Sequence, residues 1–198
     1  MNNANRINQD SGNFEYYTPK EIVDAARQCM GGIDLDPASS LAANLIVQAD
    51  HIFTKETDGM KKVWTADTLW MNHPFSRGEK ACPAKRARCK KKTCVKRGHH
   101  IDHDIPSNMD WISKLLHHYE QGHVKEAICI TFANTSEAWF RKLLPFPQCM
   151  PNKRIQYYKP DGTIDNNVTK GSAITYLGPN LDNFANAFRD IGTIKIEY

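Results

Sequence analysis

The stretch that most constrains this chain is Ala127 to Phe132, a near-continuous apolar run. It is far shorter than the roughly 18 residues of a membrane span. A strand apolar on both sides must be covered on both sides, and the usual solution is a sheet sandwiched between helices. The rest of the sequence supplies those helices. Tyr17-Thr18-Pro19-Lys20-Glu21 predicts a helix start, with Thr18 as N-cap, Pro19 at the first helical position and Glu21 closing a capping box. That helix runs to Met30 and stops at Gly31-Gly32. Ile33 to Leu35 predicts a short strand ending at Asp36-Pro37, and Ser39 or Ser40 caps a helix through Leu41 to Val47. Leu69 to Met71 predicts a second strand, ending at Asn72-His73-Pro74-Phe75.

Further along, Ser107-Asn108-Met109-Asp110 opens an amphipathic helix with Trp111, Leu115 and Leu116 on one face. Ser136 to Leu144 reads as another, stopping before Pro145. Strands are predicted over Arg154 to Tyr158, Ala173 to Leu177 and Thr193 to Tyr198, with a helix from Leu181 to Arg189 before the last. Strands alternating with helices predict an α/β domain around a largely parallel sheet over residues 15–198, preceded by a loose polar arm over 1–14. The arm has no apolar segment of the kind a secretory signal carries, which points to the cytoplasm. There, six cysteines are not expected to form a disulfide framework.

Charge is unevenly spread. Arg77 to Arg97 holds ten Lys and Arg against one acid, Glu79, and so carries +9; the net charge of +4 leaves −5 for the remainder. An acidic body with one basic insert, at about residues 77–105, points to a polyanion met at one place, with Lys90, Lys91 and Lys92 as phosphate contacts. The same stretch holds Cys82, Cys89 and Cys94 in a Cys-x6-Cys-x4-Cys spacing, followed by His99, His100 and His103. Three thiols and an imidazole satisfy tetrahedral zinc. We take His100 as the fourth ligand, with His99 and His103 as alternatives. A metal would order a segment whose cations repel one another. Cys29, Cys129 and Cys149 read as core or near-surface thiols, and His51, His117, His118 and His123 form no cluster in the sequence.

Two turns fall at predicted strand ends, where α/β sheets bind ligands. Asp34-Leu35-Asp36-Pro37-Ala38-Ser39 offers carboxylates and backbone N–H groups at a strand-to-helix turn. Asn72-His73-Pro74-Phe75 carries more chemistry. The lone pair of an adenine amine is delocalised into its ring. An Asn side-chain carbonyl and the next backbone carbonyl can accept the two amine hydrogens and stabilise the cation that forms as the nitrogen is alkylated. A proline stiffens such a loop, and an aromatic ring can stack on an extruded base.

Taken together and in this order, these motifs resemble the phage and prophage DNA N6-adenine methyltransferases, the small single-domain Dam-type enzymes. The resemblance rests on Tyr17-Thr18-Pro19, Gly32 to Ser39, Asn44, Asp58-Gly59, Trp64, Asn72 to Phe75, Trp139-Phe140 and Lys153-Arg154-Ile155. It implies a Rossmann-like methyltransferase sandwich that carries the cysteine- and histidine-rich insert, with S-adenosylmethionine as cofactor and DNA as partner. By the same resemblance Tyr17, Thr18, Asp34, Asp36, Pro37 and Asp58 line the cofactor, Asn72 orients the amine, His73 and Pro74 shape the loop, and Phe75 stacks on the base. His73 stands where the family's Asn-Pro-Pro-aromatic motif has its first proline. Methylation of cytosine N4 and a catalytically silent DNA-binding protein are the alternatives weighed against this reading.

Overall fold

A computed structural model of the chain describes residues 16–159, 161–164 and 168–196. The expected arm over 1–14 and the end of the last expected strand, 197–198, lie outside the described residues. In chain order the elements are α1 (Lys20–Met30), β1 (Leu35–Asp36), α2 (Leu41–Val47), β2 (His51–Ile52), β3 (Ala66–Met71), β4 (Arg77–Glu79), α3 (Lys92–Arg97), β5 (Ile105–Ser107), α4 (Asn108–Glu120), β6 (Val124–Phe132), α5 (Ala138–Arg141), β7 (Gln148–Pro151), β8 (Ser172–Leu177), α6 (Leu181–Phe188) and β9 (Gly192–Lys195).

Among the described residues, seven strands form one sheet in the order β2-β1-β3-β6-β8-β7-β9. The pairs β2-β1, β1-β3 and β3-β6 are parallel; β6-β8, β8-β7 and β7-β9 are antiparallel. Five strands therefore run one way, and β8 and β9 run against them. A mixed α/β fold with a mostly parallel sheet is what the alternation of elements predicts.

β6 shows why the apolar run is constraining. Ile128 and Ile130 enter one core cluster, with Val23, Ala26, Phe184 and Phe188 from α1 and α6. Ala127 and Cys129 enter the other, with Ile112, Leu115 and Phe140 from α4 and α5. Each layer of helices covers one face of the sheet. Cys29, Cys129 and Cys149 are all buried, and no disulfide forms among the described residues.

Helix starts hold where capping chemistry is local. Ser40 accepts the Ala43 N–H at the head of α2, and Ser107 and Asp110 form a reciprocal capping box at the head of α4. Thr18 does not cap α1: Pro19 takes the cap position without a side-chain bond, because the Thr18 hydroxyl is engaged elsewhere. The expected strand over Arg154 to Tyr158 is also absent. Ile155 and Tyr157 are buried against the α1 cluster, but the segment lies off the sheet and only Tyr158 bridges, to Tyr17 and to Ile164. The sheet takes β7 instead, which Pro147 and Pro151 disguise as a turn. The helix expected over Ser136 to Leu144 shrinks to the short α5 followed by turns.

The segment after β2 packs tightly on the turn after β1. Asp58, at φ 52°, accepts the Met60 N–H at 3.2 Å and starts a 3-10 turn over Gly59–Lys61. A Cβ on Gly59 would lie 2.0 Å from the Pro37 carbonyl oxygen, a backbone atom. Gly59→Ala is therefore expected to destabilise the fold by about 1–3 kcal/mol, as overpacking against rigid neighbours does. Chemical denaturation would check this, and an unchanged midpoint would show that the two turns can separate freely.

Candidate active site and metal centre

The sheet reverses its winding between β1 and β3. From β1 the chain moves outward to β2 and then returns to the other side of β1 as β3. The carboxyl ends of β1 and β3 thus lie side by side at a switch point, where α/β sheets bind ligands. With Leu35 opposite Leu69, Asp36 is level with Trp70 and Asn72 follows just beyond.

Asp36 is 2% exposed. Burial pushes its carboxyl up to about 6, opposed by the Ala38 N–H at 3.1 Å. The Ser39 hydroxyl lies close enough to temper that rise but forms no full hydrogen bond among the described residues, leaving a buried polar atom beside Asp36. Pro37 is buried in the same turn, and Asp58-Gly59 closes over it. Asp34 is not brought to this end. Its carboxylate reaches back toward the start of β3, accepting the Asp67 N–H at 2.9 Å and the Thr68 N–H at 3.0 Å. These bonds tie β1 to β3 and set the Asp34 carboxylate apart from the strand ends that carry Asp36 and Asn72.

Asn72 is held by its amide. Nδ2 donates to the Tyr16 carbonyl at 3.1 Å and to the Thr18 hydroxyl at 3.0 Å. Both amide hydrogens are thereby committed, and Oδ1 remains as an oriented acceptor. Thr18 therefore acts on Asn72, where the sequence pointed to a helix cap and a cofactor contact. The strand-like Tyr16–Thr18 segment is itself fixed through Tyr17, whose N–H and carbonyl both pair with Tyr158, at 2.8 and 2.9 Å.

Past Asn72 the loop turns inward. The His73 ring stacks on Trp111 with centroids 5.9 Å apart, and Phe75 meets it edge-on at 5.3 Å. Burial lowers the His73 pKa to about 4, although a hydrogen bond to Asn108 works the other way, so the ring is neutral at physiological pH. Phe75 also packs on Phe132, at the end of β6, with centroids 4.3 Å apart, and Lys170 Nζ lies over the Phe132 ring. Pro74 is exposed between them.

Directly after this loop comes the basic insert. β4 and β5 form an antiparallel ribbon, with Arg77 opposite Ser107 and Glu79 opposite Ile105. Between them, one ligand atom each from Cys82, Cys89, Cys94 and His100 lie within 4.8 Å of one another. The Cys89 and Cys94 sulfurs are 3.7 Å apart and those of Cys82 and Cys94 3.2 Å. A tetrahedral ion with Zn–S of about 2.3 Å separates its sulfurs by roughly 3.8 Å, so three thiols and an imidazole here fit one. Burial pushes the Cys82 thiol up, but hydrogen bonds from the Ile101 N–H, Cys94 and His100 outweigh it and lower its pKa.

Glu79, the single acid of the basic stretch, is the internal counter-charge. It takes the Thr93 hydroxyl at 2.9 Å and the Arg97 guanidinium at 3.2 Å, fastening α3 to the ribbon. Lys91 is not free either: it reaches the Lys80 and Ala81 carbonyls and pairs with Glu79. The phosphate-contact expectation for Lys91 is therefore corrected, while Lys85, Arg88, Lys90, Lys92 and Lys96 are exposed.

Four contributors were not read from the sequence: the Tyr16 carbonyl, Asn108, Trp111 in its stacking role and Phe132. Only the start of α4 at Asn108 and Trp111 had any local signal. The histidines without a sequence cluster also come together, with His118 stacked on Trp64 and its Nδ1 3.3 Å from that of His123.

Among known families, the one described as DNA N-6-adenine-methyltransferase (Dam) matches residues 7–157 of the chain. No curated protein and no solved structure matches it.

Proposed function

The chain belongs to the DNA N-6-adenine-methyltransferase (Dam) family, and on that premise we propose that it methylates the exocyclic amine of adenine in DNA, using S-adenosylmethionine. The observation that carries the reading is Asn72, whose amide hydrogens are both committed, which leaves its Oδ1 as the acceptor just beyond β3 at the switch point. With the next backbone carbonyl, that of His73, it accepts the two amine hydrogens of the base. Drawing on those hydrogens localises the lone pair on nitrogen, out of conjugation with the ring. The two carbonyl dipoles stabilise the positive charge that develops on nitrogen as the N–C bond forms and the methyl leaves its sulfur. Phe75 provides the aromatic surface for the base, once extruded from the helix.

The cofactor supplies an electrophilic methyl group. The residues at the end of β1 suit it: Asp36 and Ser39 offer buried polar atoms to its amino-acid and ribose groups, with Pro37 and the Asp58-Gly59 turn packed against them. The reversal between β1 and β3 supports a Rossmann-like arrangement. Zinc on Cys82, Cys89, Cys94 and His100 would serve structure, with no part in the chemistry. The insert begins immediately after the catalytic loop and so lies beside the DNA. No helix among the described residues is long and apolar enough to cross a membrane, and the unpaired thiols suit the cytoplasm of a bacterial host. Phage or prophage DNA is the natural setting for such an enzyme.

Transfer of labelled methyl from the cofactor to DNA, with the modified base then identified, tests the reaction. N6-methyladenine is the expected product. N4-methylcytosine would redirect the assignment, and cofactor binding without transfer would mark a DNA-binding protein that has kept the fold. The insert's role has its own test. Replacing Lys90, Lys92 and Lys96 together by Ala should flatten the salt dependence of duplex binding by up to about 3 × 0.9 in log–log slope, if each meets a phosphate. An unchanged slope would place the DNA on another surface.

A further inference from the structure

Asn108, the first residue of α4, faces the catalytic loop. Its Oδ1 accepts the Ser76 backbone N–H at 3.2 Å and lies 3.2 Å from His73 Nε2. Its own N–H donates to the Ser76 carbonyl at 2.8 Å. A backbone N–H can only donate, so the atom it meets is the amide oxygen. An oxygen can only accept, so His73 holds its proton on Nε2. The remaining ring nitrogen, Nδ1, is buried without a partner among the described residues, so one hydrogen bond and the ring contacts with Trp111 and Phe75 hold the imidazole. His73 itself is 2% exposed.

A histidine leaves the loop with a free φ torsion that a proline ring would have fixed. We propose that Asn108 is a positioning residue for methyl transfer. By holding His73 and Ser76 it sets the path of the loop, so that Asn72 Oδ1 and the His73 carbonyl converge on one amine. This rests on the catalytic reading of Asn72 given above. It also makes the loop answer to the insert, because Asn108 follows directly on Ser107, the last residue of β5.

Two variants separate positioning from simple support of the helix. Asn108→Leu keeps the shape and the backbone bond to Ser76 but removes the acceptor. Asn108→Asp keeps an acceptor oxygen and suits the first turn of a helix. Asn108→Leu should lower kcat by about tenfold to a hundredfold, as a displaced reacting group does. Its affinities for cofactor and for duplex DNA should stay within about twofold, with a melting temperature lower by only about a few degrees, as two donors lose their acceptor. Asn108→Asp should stay within about threefold of the parent kcat, since the same acceptor geometry is retained. Nitrogen NMR of the His73 ring should show a single Nε2-protonated tautomer in the parent and in Asn108→Asp, and lose it in Asn108→Leu. Parental kcat in Asn108→Leu would overturn the proposal. So would a loss confined to KM or to melting temperature, or an Asn108→Asp enzyme as slow as Asn108→Leu. A parent that binds cofactor but transfers no methyl would sink the functional reading instead, while the tautomer would still report whether Asn108 holds the loop.

Discussion

Asn72→Ala is expected to lower methyl transfer by at least about a hundredfold, because one preorganised acceptor of this kind contributes about 3 kcal/mol to the transition state. Affinity for S-adenosylmethionine should stay within a few-fold, since the Asn72 amide is bonded to Tyr16 and Thr18 and not to residues of the β1 turn. Single-turnover transfer together with a cofactor titration would measure both. Full activity in the variant would remove Asn72 from the mechanism. Equal losses of transfer and cofactor binding would mean that Asn72 supports the cofactor pocket rather than the amine.

The second large effect is expected in the insert. Purified, reduced protein should carry about one zinc per chain, and Cys89→Ser should lose it. The insert's apolar packing is slight, and beside it stand only the β4–β5 ladder and polar bonds such as those of Glu79. Its own cluster consists of buried Cys82, Cys94 and Ile101 with Cys89 and Ile105 packed alongside, separate from both clusters of the sheet. Ordering a residue costs about 1.5 kcal/mol, so so small an apolar cluster cannot order the whole insert. A structural zinc site contributes about 10–16 kcal/mol toward that cost. Protease sensitivity should therefore appear within the insert in Cys89→Ser, while the unfolding transition of the sheet changes little. Zinc-free parent protein with an intact insert would eliminate the metal. Collapse of the whole fold would show that the insert supports the central sheet.

Much of the fold was legible because its signals are local. The two-sided apolar run of β6, the Gly31 stop of α1 and the Ser107–Asp110 capping box each act within a few residues, so their consequences can be read from neighbours in sequence. The grouping of Cys82, Cys89 and Cys94 with a nearby histidine was legible for a related reason, and the structure brings His100, rather than His99 or His103, to the three thiols. Metal ligands must be of the right type, and these lie close together in the chain.

Other features depend on partners far away in sequence. Thr18 and Asn72 are 54 residues apart, and Asn108 and His73 are 35 apart. Nothing near Thr18 distinguishes a hydroxyl that caps a helix from one that turns an amide. Asp34 and Asp36 differ only in how far they lie along β1, and the pairing of β1 with β3 decides that one carboxylate braces the sheet and the other faces the switch point. Residue order alone was enough to read the layered architecture and to bring forward Asn72 and the Cys82, Cys89, Cys94 and histidine cluster as candidates. Only the tertiary structure decided which groups hold Asn72 and His73 in place, because those hydrogen bonds form between segments that meet only when the sheet assembles.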